Sequence, residues 1–297
     1  MIMVNYLKLI RISNWLKNLF VISPLVFSLK LTSPGPVVHS LIAFFVFSFT
    51  ASGFYIYNDL IDLHKDLLHP RKKERPLASG IISKNIAVVI MILFFVAGIA
   101  GLFFLPIPFT YILASYVVLS ILYNMFLKEV NLLETVVLAV FFVIRVLAGC
   151  FAITVVPSHW ILSITFFLAL FLVFIKRKSE IIMLGQAAEE HRKVLKNYSM
   201  VLLDRFIYIT AAITLTSYML YTINESVVQI FGSDILIYST VFVVLGLFRF
   251  IQLSESGTYQ YEGDPTTLLL KDRFLQVVVL CWAMYVVAVL YFHIIFQ

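Results

Sequence analysis

The sequence predicts an all-α, polytopic membrane protein in which nine transmembrane helices surround a central cavity open to the cytoplasm. Three observations lead to this prediction. Of the 297 residues, 62% are hydrophobic and only 13% are charged, which is typical of membrane proteins rather than soluble domains. Apolar runs long enough to cross a bilayer, about 20 residues each, recur along the chain. The polar residues gather at one end of these runs, which predicts a one-sided functional surface.

The predicted spans follow the apolar runs in chain order. Lys17 and Asn18 interrupt the first run, and Pro106 and Pro108 divide a longer one into a helical hairpin. Residues 1–297 are predicted to form a single integral domain. The nine spans cover residues 13–30, 37–58, 85–105, 107–126, 132–154, 160–177, 203–222, 235–253 and 274–295.

Charge placement orients the predicted bundle. With a cytoplasmic N-terminus, the inner loops hold most Lys and Arg residues and the outer loops hold only Lys30. This follows the positive-inside rule and predicts an inner (plasma) membrane protein with its C-terminus outside. The start of the chain does not read as a removable signal peptide. The net charge of +6 then belongs to a cytoplasmic rim beside anionic lipid and substrates, and no nucleic-acid binding is predicted.

Acidic residues follow directly after the second predicted span. Asp59, Asp62 and Asp66 are spaced i, i+3, i+7, so on a continuing helix their carboxylates share one face. Acids this close repel each other, and a divalent cation is the usual remedy. Hard oxygen ligands suit Mg²⁺, which is typically shared with substrate phosphates. We therefore predict that Asp59 and Asp62 bind Mg²⁺, with Asp66 as a third ligand or beside the substrate. Asn58 would orient Asp62 or complete the metal shell, and a solvated helix end of mixed charge is the competing interpretation.

Basic residues follow the acids and recur in later loops, where they can hold phosphate oxygens. Three polar loops are predicted to cap the cavity from the cytoplasmic side, at about 59–84, 176–200 and 254–273. The residues predicted to bind substrate are Lys17, Asn58, Lys72, Lys73, Arg75, Arg145, Lys176, Arg177 and Glu180.

Cations within the spans have two interpretations each. Arg145 lies well inside the fifth span, where a lone guanidinium costs at least about 2.5–3.5 kcal/mol, so it needs a partner. Either Glu134 or another acid neutralises it, or it meets a ligand phosphate. Lys17 on the first span either finds a partner of the same kind or extends its ammonium to the inner membrane interface.

The second loop begins with a run of charges. Lys176 and Glu180 are one helical turn apart, which allows an ion pair or a phosphate–metal pairing. Lys178 and Lys193 are instead predicted to anchor helices at the lipid headgroups.

Several motifs resemble those of the UbiA-type intramembrane prenyltransferases. Asn58-Asp59-x-x-Asp62-x-x-x-Asp66 resembles the family's first aspartate-rich motif, and His69-Pro70-x-Lys72-x-x-Arg75-Pro76-x-Ala78-x-Gly80 is similar to the polyprenyl-phosphate phosphoribosyltransferase branch. Lys176-Arg177-x-x-Glu180 stands where many members carry a second aspartate-rich motif. Further matches are Arg11-x-x-x-Trp15-x-Lys17-Asn18, Tyr123-Asn124-x-x-x-Lys128, Arg145-x-x-Ala148-Gly149 and Arg192-x-x-Leu195-x-x-Tyr198.

The resemblance implies a UbiA-like fold and an Mg²⁺-dependent transferase. The branch implies that phosphoribosyl diphosphate (PRPP) donates a 5-phosphoribosyl group to a polyprenyl phosphate within the membrane lipid, for cell-envelope glycan synthesis. One alternative is a prenyltransferase that moves an isoprenoid from its diphosphate to an aromatic or lipid acceptor. A transporter or a non-catalytic lipid-binding protein is the alternative from another class. The oligomeric state, including a homo-oligomer, stays open.

Overall fold

The computed structural model describes residues 2–68, 72–185, 192–231, 234–255 and 264–295, and every regular element in these ranges is a helix. This confirms the predicted all-α class. The α-helices are α1 (Ile2–Leu9), α2 (Ser23–Phe27), α3 (Pro34–Ile61), α4 (Leu63–Leu68), α5 (Lys84–Leu102), α6 (Ile107–Met125), α7 (Leu133–Ala152), α8 (His159–Leu184), α9 (Met200–Thr222), α10 (Glu225–Phe231), α11 (Thr240–Glu255), α12 (Pro265–Lys271) and α13 (Arg273–Ile295). Short 3-10 helices cover Ile12–Val21, Lys72–Glu74, Leu127–Glu129, Lys193–Asn197 and Ile235–Ser239.

Eight helices among the described residues are long and apolar enough to cross a membrane. They correspond to the second through ninth predicted spans. The first predicted span, residues 13–30, is instead a 3-10 helix from Ile12 to Val21 followed by the five-residue α2. A stretch this broken falls short of the length that a single spanning helix needs, so the count of nine is not confirmed.

The chain divides into two compact units. Unit 1 comprises residues 1–127 and 144–156, and unit 2 comprises residues 128–143 and 157–297. The single domain over residues 1–297 stays a prediction. The predicted cap loops fall partly outside the described residues, at 69–71, 186–191 and 256–263.

In unit 1, α3 packs closely along α5. Glycines on α5 make this approach possible: a Cβ on Gly101 would lie 2.2 Å from Val46, and one on Gly98 would lie 2.8 Å from Thr50 Oγ1. Small residues serve this purpose in membrane helix pairs. Helix α3 has 28 residues and is about 42 Å long, more than a bilayer core requires. Its last turn, which packs on apolar residues through Leu60, carries Asp59.

In unit 2, the long helix α8 corresponds to α3 of unit 1. It packs on α9 through apolar and aromatic side chains that include Phe171, Ile175 and the ring pair Phe174–Phe206, whose centroids are 5.0 Å apart. With 26 residues, α8 also exceeds the length of one crossing. Its final turns carry the Lys176–Glu180 charge run.

Candidate active site

The acidic cluster of unit 1 forms where α3 gives way to α4. Asp59 and Asp66 are buried, at 4% and 2% exposure. The helix does not continue unbroken, as the predicted i, i+3, i+7 face assumed, because α3 ends at Ile61 and α4 begins at Leu63. Asp62 is the cap between them, and its N–H donates to the carbonyl of Asn58 at 2.9 Å. The break brings Asp59 and Asp66 together and leaves Asp62 half-buried at the joint.

Arg75 joins the two buried aspartates. Its Nη1 lies 2.8 Å from Asp59 Oδ1 and 2.6 Å from Asp66 Oδ2. Lys72 Nζ lies 4.0 Å from Asp66 Oδ1. The structure thus brings the acidic motif and part of the following basic string together. Lys73 is exposed in the same 3-10 turn, while His69, Pro70 and Arg71 lie outside the described residues.

Arg11 is a member of this cluster that the sequence did not identify as a site residue. Its Nη2 contacts Asp59 Oδ1, and its guanidinium lies over the Tyr55 ring at 5.0 Å. The backbone of Arg11 is left-handed, with φ of 52°, a conformation that costs free energy and is often found at functional sites. The Arg11-to-Asn18 motif was the available signal, but only the folded chain brings it to Asp59.

The charge state of Asp66 bears on metal binding. Burial raises the pKa of Asp66 above its usual value and the Asp59 carboxylate adds to the rise, although Arg75 and Lys72 pull it down. The described residues contain no group of three His, Cys, Asp or Glu side chains arranged to hold a metal ion. Mg²⁺, however, is commonly bound by one or two carboxylates together with water and substrate phosphates. The Asp59–Asp66 pair fits that chemistry.

A second polar cluster in unit 1 lies deeper in the helices. Arg145 Nε donates to Asn18 Oδ1 at 2.8 Å, and Asn18 Nδ2 donates to Ser48 Oγ at 2.9 Å. The Arg145 guanidinium also lies 5.0 Å from the centre of the Phe47 ring and 5.5 Å from that of Tyr116. An amide and aromatic faces are therefore part of what compensates this buried cation. Lys17, next to Asn18, is half-buried.

Unit 2 contains a different ion cluster, centred on Arg177. This side chain is completely buried, and its Nε and Nη2 each donate to Glu134 at 2.8 Å. Its Nη1 contacts Glu180. Glu134 had been one candidate partner for Arg145, and its carboxylate is engaged here instead. Arg192, one-quarter exposed, lies 3.3 Å from Glu134 and 4.0 Å from Glu180.

Lys176 and Lys178, at the start of the second loop, both pair with acids. Lys176 lies 3.7 Å from Asp264, whereas Glu180, its predicted helical-turn partner, contacts Arg177. Lys178 does not extend to the headgroups, because it is 4% exposed and ion-paired to Asp204 at 2.7 Å and Glu255 at 2.6 Å. The prediction that Lys178 anchors a helix at the headgroups is therefore wrong. Acids on two neighbouring helices compensate the charge of the buried ammonium.

Comparisons with known proteins agree on one family. Residues 20–267 match the family described as the UbiA prenyltransferase family. The chain is 28% identical over 280 residues to the decaprenyl-phosphate phosphoribosyltransferase of Mycobacterium tuberculosis, covering 93% of this chain and 90% of that protein. The protein of the same name from Mycolicibacterium smegmatis is 27% identical over 297 residues, covering 96% and 92%.

A solved structure shares the fold. The UbiA homolog from Archaeoglobus fulgidus bound to GPP and Mg²⁺ superposes with a TM-score of 0.69 at 19% identity, over 96% of this chain and 99% of that one. The apolar helices identify an integral, multi-pass membrane protein. The chain belongs to the UbiA prenyltransferase family.

Proposed function

We propose that this protein transfers the 5-phosphoribosyl group of PRPP to a polyprenyl phosphate. In this reaction the bond from ribose C1 to the diphosphate oxygen breaks, and a bond from C1 to an oxygen of the lipid phosphate forms. The products are diphosphate and polyprenyl-phosphoryl-5-phosphoribose. The acceptor phosphate is already ionised at neutral pH, so the reaction requires no general base.

The observation that carries the proposal is the similarity, over nearly the whole chain, to relatives named decaprenyl-phosphate phosphoribosyltransferase. The residues support it independently. The site combines one pair of buried carboxylates with several cations, namely Arg11, Lys72 and Arg75. One metal-bound diphosphate and further phosphate groups match this balance of charge.

The carboxylates of Asp59 and Asp66 are the proposed ligands of Mg²⁺, with Asp62 as a third ligand or beside the ribose. Bound there, Mg²⁺ would supply the Lewis acid that neutralises the departing diphosphate. A nearby carboxylate also stabilises the positive charge that develops at the ribosyl carbon. Asn58, in the last turn of α3, positions Asp62 through its backbone carbonyl.

Cations at the rim of this cluster are the proposed phosphate ligands. Arg75 and Lys72, which contact the carboxylates directly, hold donor oxygens, and the exposed Lys73 adds to the anion-binding surface. Arg145, which donates to Asn18, and Lys17, the chain neighbour of Asn18, are further proposed phosphate ligands.

In unit 2, Lys176 remains a candidate anion ligand because its side chain is one-third exposed. Arg177 is enclosed, with Nε, Nη1 and Nη2 all bonded to glutamates. We therefore propose that Arg177 and Glu180 stabilise the local structure and do not contact the ligand.

A second candidate function is prenyl transfer from an isoprenoid diphosphate to an aromatic or lipid acceptor. The family description and the geranyl-diphosphate-bound neighbour favour it. It needs the same metal site but places the lipid on the donor side.

We also propose that the protein lies in the inner membrane with its N-terminus and active site in the cytoplasm, its C-terminus outside, and its product used for cell-envelope glycans. A cysteine at the exposed Ser79 tests the orientation. We expect a membrane-impermeant thiol reagent to label Ser79→Cys only after the cells are opened. Labelling of Ser79→Cys in intact cells would contradict the proposed orientation.

Purified protein in lipid nanodiscs, with labelled PRPP, polyprenyl phosphate and Mg²⁺, tests the reaction directly. We expect a lipid-linked phosphoribose that disappears when Mg²⁺ is chelated. A parallel reaction contains geranyl diphosphate and an aromatic acid. Transfer of the prenyl group there, with no reaction of PRPP, would overturn the donor assignment and favour the second function.

A further inference from the structure

Arg75 Nη1 lies between two carboxylates, where a divalent cation would bridge them. It is ion-paired to both Asp59 and Asp66. Asp59 Oδ1 receives both Arg11 and Arg75. A carboxylate oxygen has about two lone-pair sites, so this oxygen is saturated. A metal ion can take Asp59 Oδ1 only when one guanidinium leaves.

The two arginines are held differently. The guanidinium of Arg11 stacks on Tyr55, which lies one helical turn before Asp59 on α3, and its backbone conformation is fixed at the start of a 3-10 helix. The backbone of Arg75 is held by Ser79, whose N–H and Oγ donate to the Arg75 carbonyl at 2.8 and 2.9 Å. The Arg75 side chain, by contrast, reaches across to both carboxylates and is 28% exposed. Arg75 is therefore the guanidinium free to exchange.

We propose that Arg75 is an exchangeable counter-ion of the metal site. Without a divalent cation, its guanidinium neutralises Asp59 and Asp66. When a divalent cation takes the carboxylates, Arg75 transfers to anionic oxygens of the bound diphosphate, while Arg11 stays on Asp59. This inference rests on the proposed function for the identity of the donor, but its metal-binding part does not.

Exchange of this kind couples two ligands. The metal releases Arg75 for the anion, and the anion removes Arg75 as a competitor of the metal, so each ligand strengthens the binding of the other by the same factor. A simple phosphate ligand that never touched the carboxylates would strengthen anion binding alone. The coupling through Arg75 is the property to measure.

Binding of Mn²⁺ to the full-length protein in nanodiscs, followed by electron paramagnetic resonance, measures it without turnover. Mn²⁺ is titrated with and without inorganic diphosphate into the wild type and into Arg75→Gln, Arg11→Gln and Lys84→Gln. Arg11→Gln removes the other cation from Asp59, and Lys84→Gln removes an exposed cation at the start of α5. Formation of the Mn²⁺–diphosphate complex in solution is the same for all four proteins, so differences between them report the site.

We expect Arg75→Gln to bind Mn²⁺ alone about tenfold more tightly than the wild type, and to lose most of the further tightening that diphosphate causes, a coupling on the order of 5–150-fold. Arg11→Gln should retain that coupling, and Lys84→Gln should match the wild type in both. If Arg75→Gln does not fold, Arg75→Lys replaces it and should give intermediate values, because an ammonium keeps the positive charge but lacks the planar, multi-donor geometry of a guanidinium.

Mn²⁺ affinity of Arg75→Gln equal to that of Lys84→Gln, or an undiminished effect of diphosphate, would overturn the exchange. Failure of the proposed function gives a different result. In that case the Mn²⁺ data follow the pattern above while the wild type transfers nothing from PRPP. Conversely, transfer from PRPP with unchanged Mn²⁺ binding in Arg75→Gln leaves the function intact and removes the exchange.

Discussion

The two units each contain an arginine between two acids, and the exposure of that arginine separates their roles. In unit 2, the Arg177 side chain is 1% exposed and Glu134 is 0% exposed. In unit 1, the Arg75 and Arg11 side chains are 28% and 21% exposed above Asp59, at 5%. Both clusters pair their acids with cations. We expect a guanidinium enclosed by glutamates to hold the fold together, and one at the surface of a buried acid to be available to a ligand.

The physical basis of this difference is desolvation. Removal of one partner from a buried ion pair leaves an uncompensated charge away from water, which costs about 3–5 kcal/mol. A partly exposed partner is replaced by water at lower cost. Substitutions in unit 1 should therefore change ligand binding more than stability, and those around Arg177 should do the reverse.

The largest expected effect on activity is that of Asp59→Asn. The substitution keeps the size of the side chain and removes the charge that holds the metal, so we expect turnover of PRPP to fall at least about a hundredfold, the scale for loss of a key electrostatic element. Initial rates at several Mg²⁺ concentrations measure it. Near-normal turnover at limiting Mg²⁺ would remove Asp59 from the metal site.

The largest expected effect on stability is that of Arg177→Leu. It leaves Glu134 buried without its bidentate partner, and we expect a loss of about 3–5 kcal/mol, measured as a lower unfolding temperature in detergent. The double variant Glu134→Leu/Arg177→Leu is the matched control and should recover most of the loss. An unfolding temperature of Arg177→Leu equal to the wild type would show that the cluster is not structural.

A smaller, selective effect is expected for Arg75→Ala and Arg75→Lys. Alanine should raise the KM for PRPP, and lysine should restore only part of the loss, since a point charge does not replace a bidentate guanidinium. Steady-state kinetics at saturating Mg²⁺ distinguish the two variants. Equal rescue by lysine would indicate that Arg75 contributes charge without geometry.

The smallest effect should come from Lys193→Gln. Lys193 pairs with Glu129 at 3.1 Å, but both side chains are exposed, and exposed pairs contribute roughly 0–1 kcal/mol. We expect unfolding temperature and KM close to those of the wild type. A change as large as that of Arg177→Leu would break the link between exposure and role.

Local patterns predicted what depends on local chemistry. Hydropathy predicted the eight spans seen in the described residues, Pro106 and Pro108 marked the break between α5 and α6, and the order of acids and bases predicted that the two kinds of charge share one site. Separation along the chain hid the rest. Arg11 meets Asp59 across 48 residues and Arg177 meets Glu134 across 43. Such contacts arise from helix packing, which no short motif encodes.

The sequence did not predict the interruption of the helix at Asp62, for a related reason. The spacing of the aspartates is compatible with one continuing helix, whereas in the structure α3 ends at Ile61 and α4 begins at Leu63. The same limit applies to Lys178, whose burial depends on acids contributed by α9 and α11. The sequence shows which residues carry a charge, but it does not show how exposed their side chains are.

The contrast between the two clusters is tested most directly by the thermal shift that PRPP and Mg²⁺ cause, measured side by side in the wild type, Arg75→Gln and Arg177→Gln. A ligand that binds only the folded protein raises its unfolding temperature. We predict that Arg177→Gln unfolds at a lower temperature but keeps the further shift that PRPP adds to that of Mg²⁺ alone, and that Arg75→Gln keeps the wild-type unfolding temperature but loses most of this further shift. A lost shift in Arg177→Gln with a preserved shift in Arg75→Gln would contradict the account.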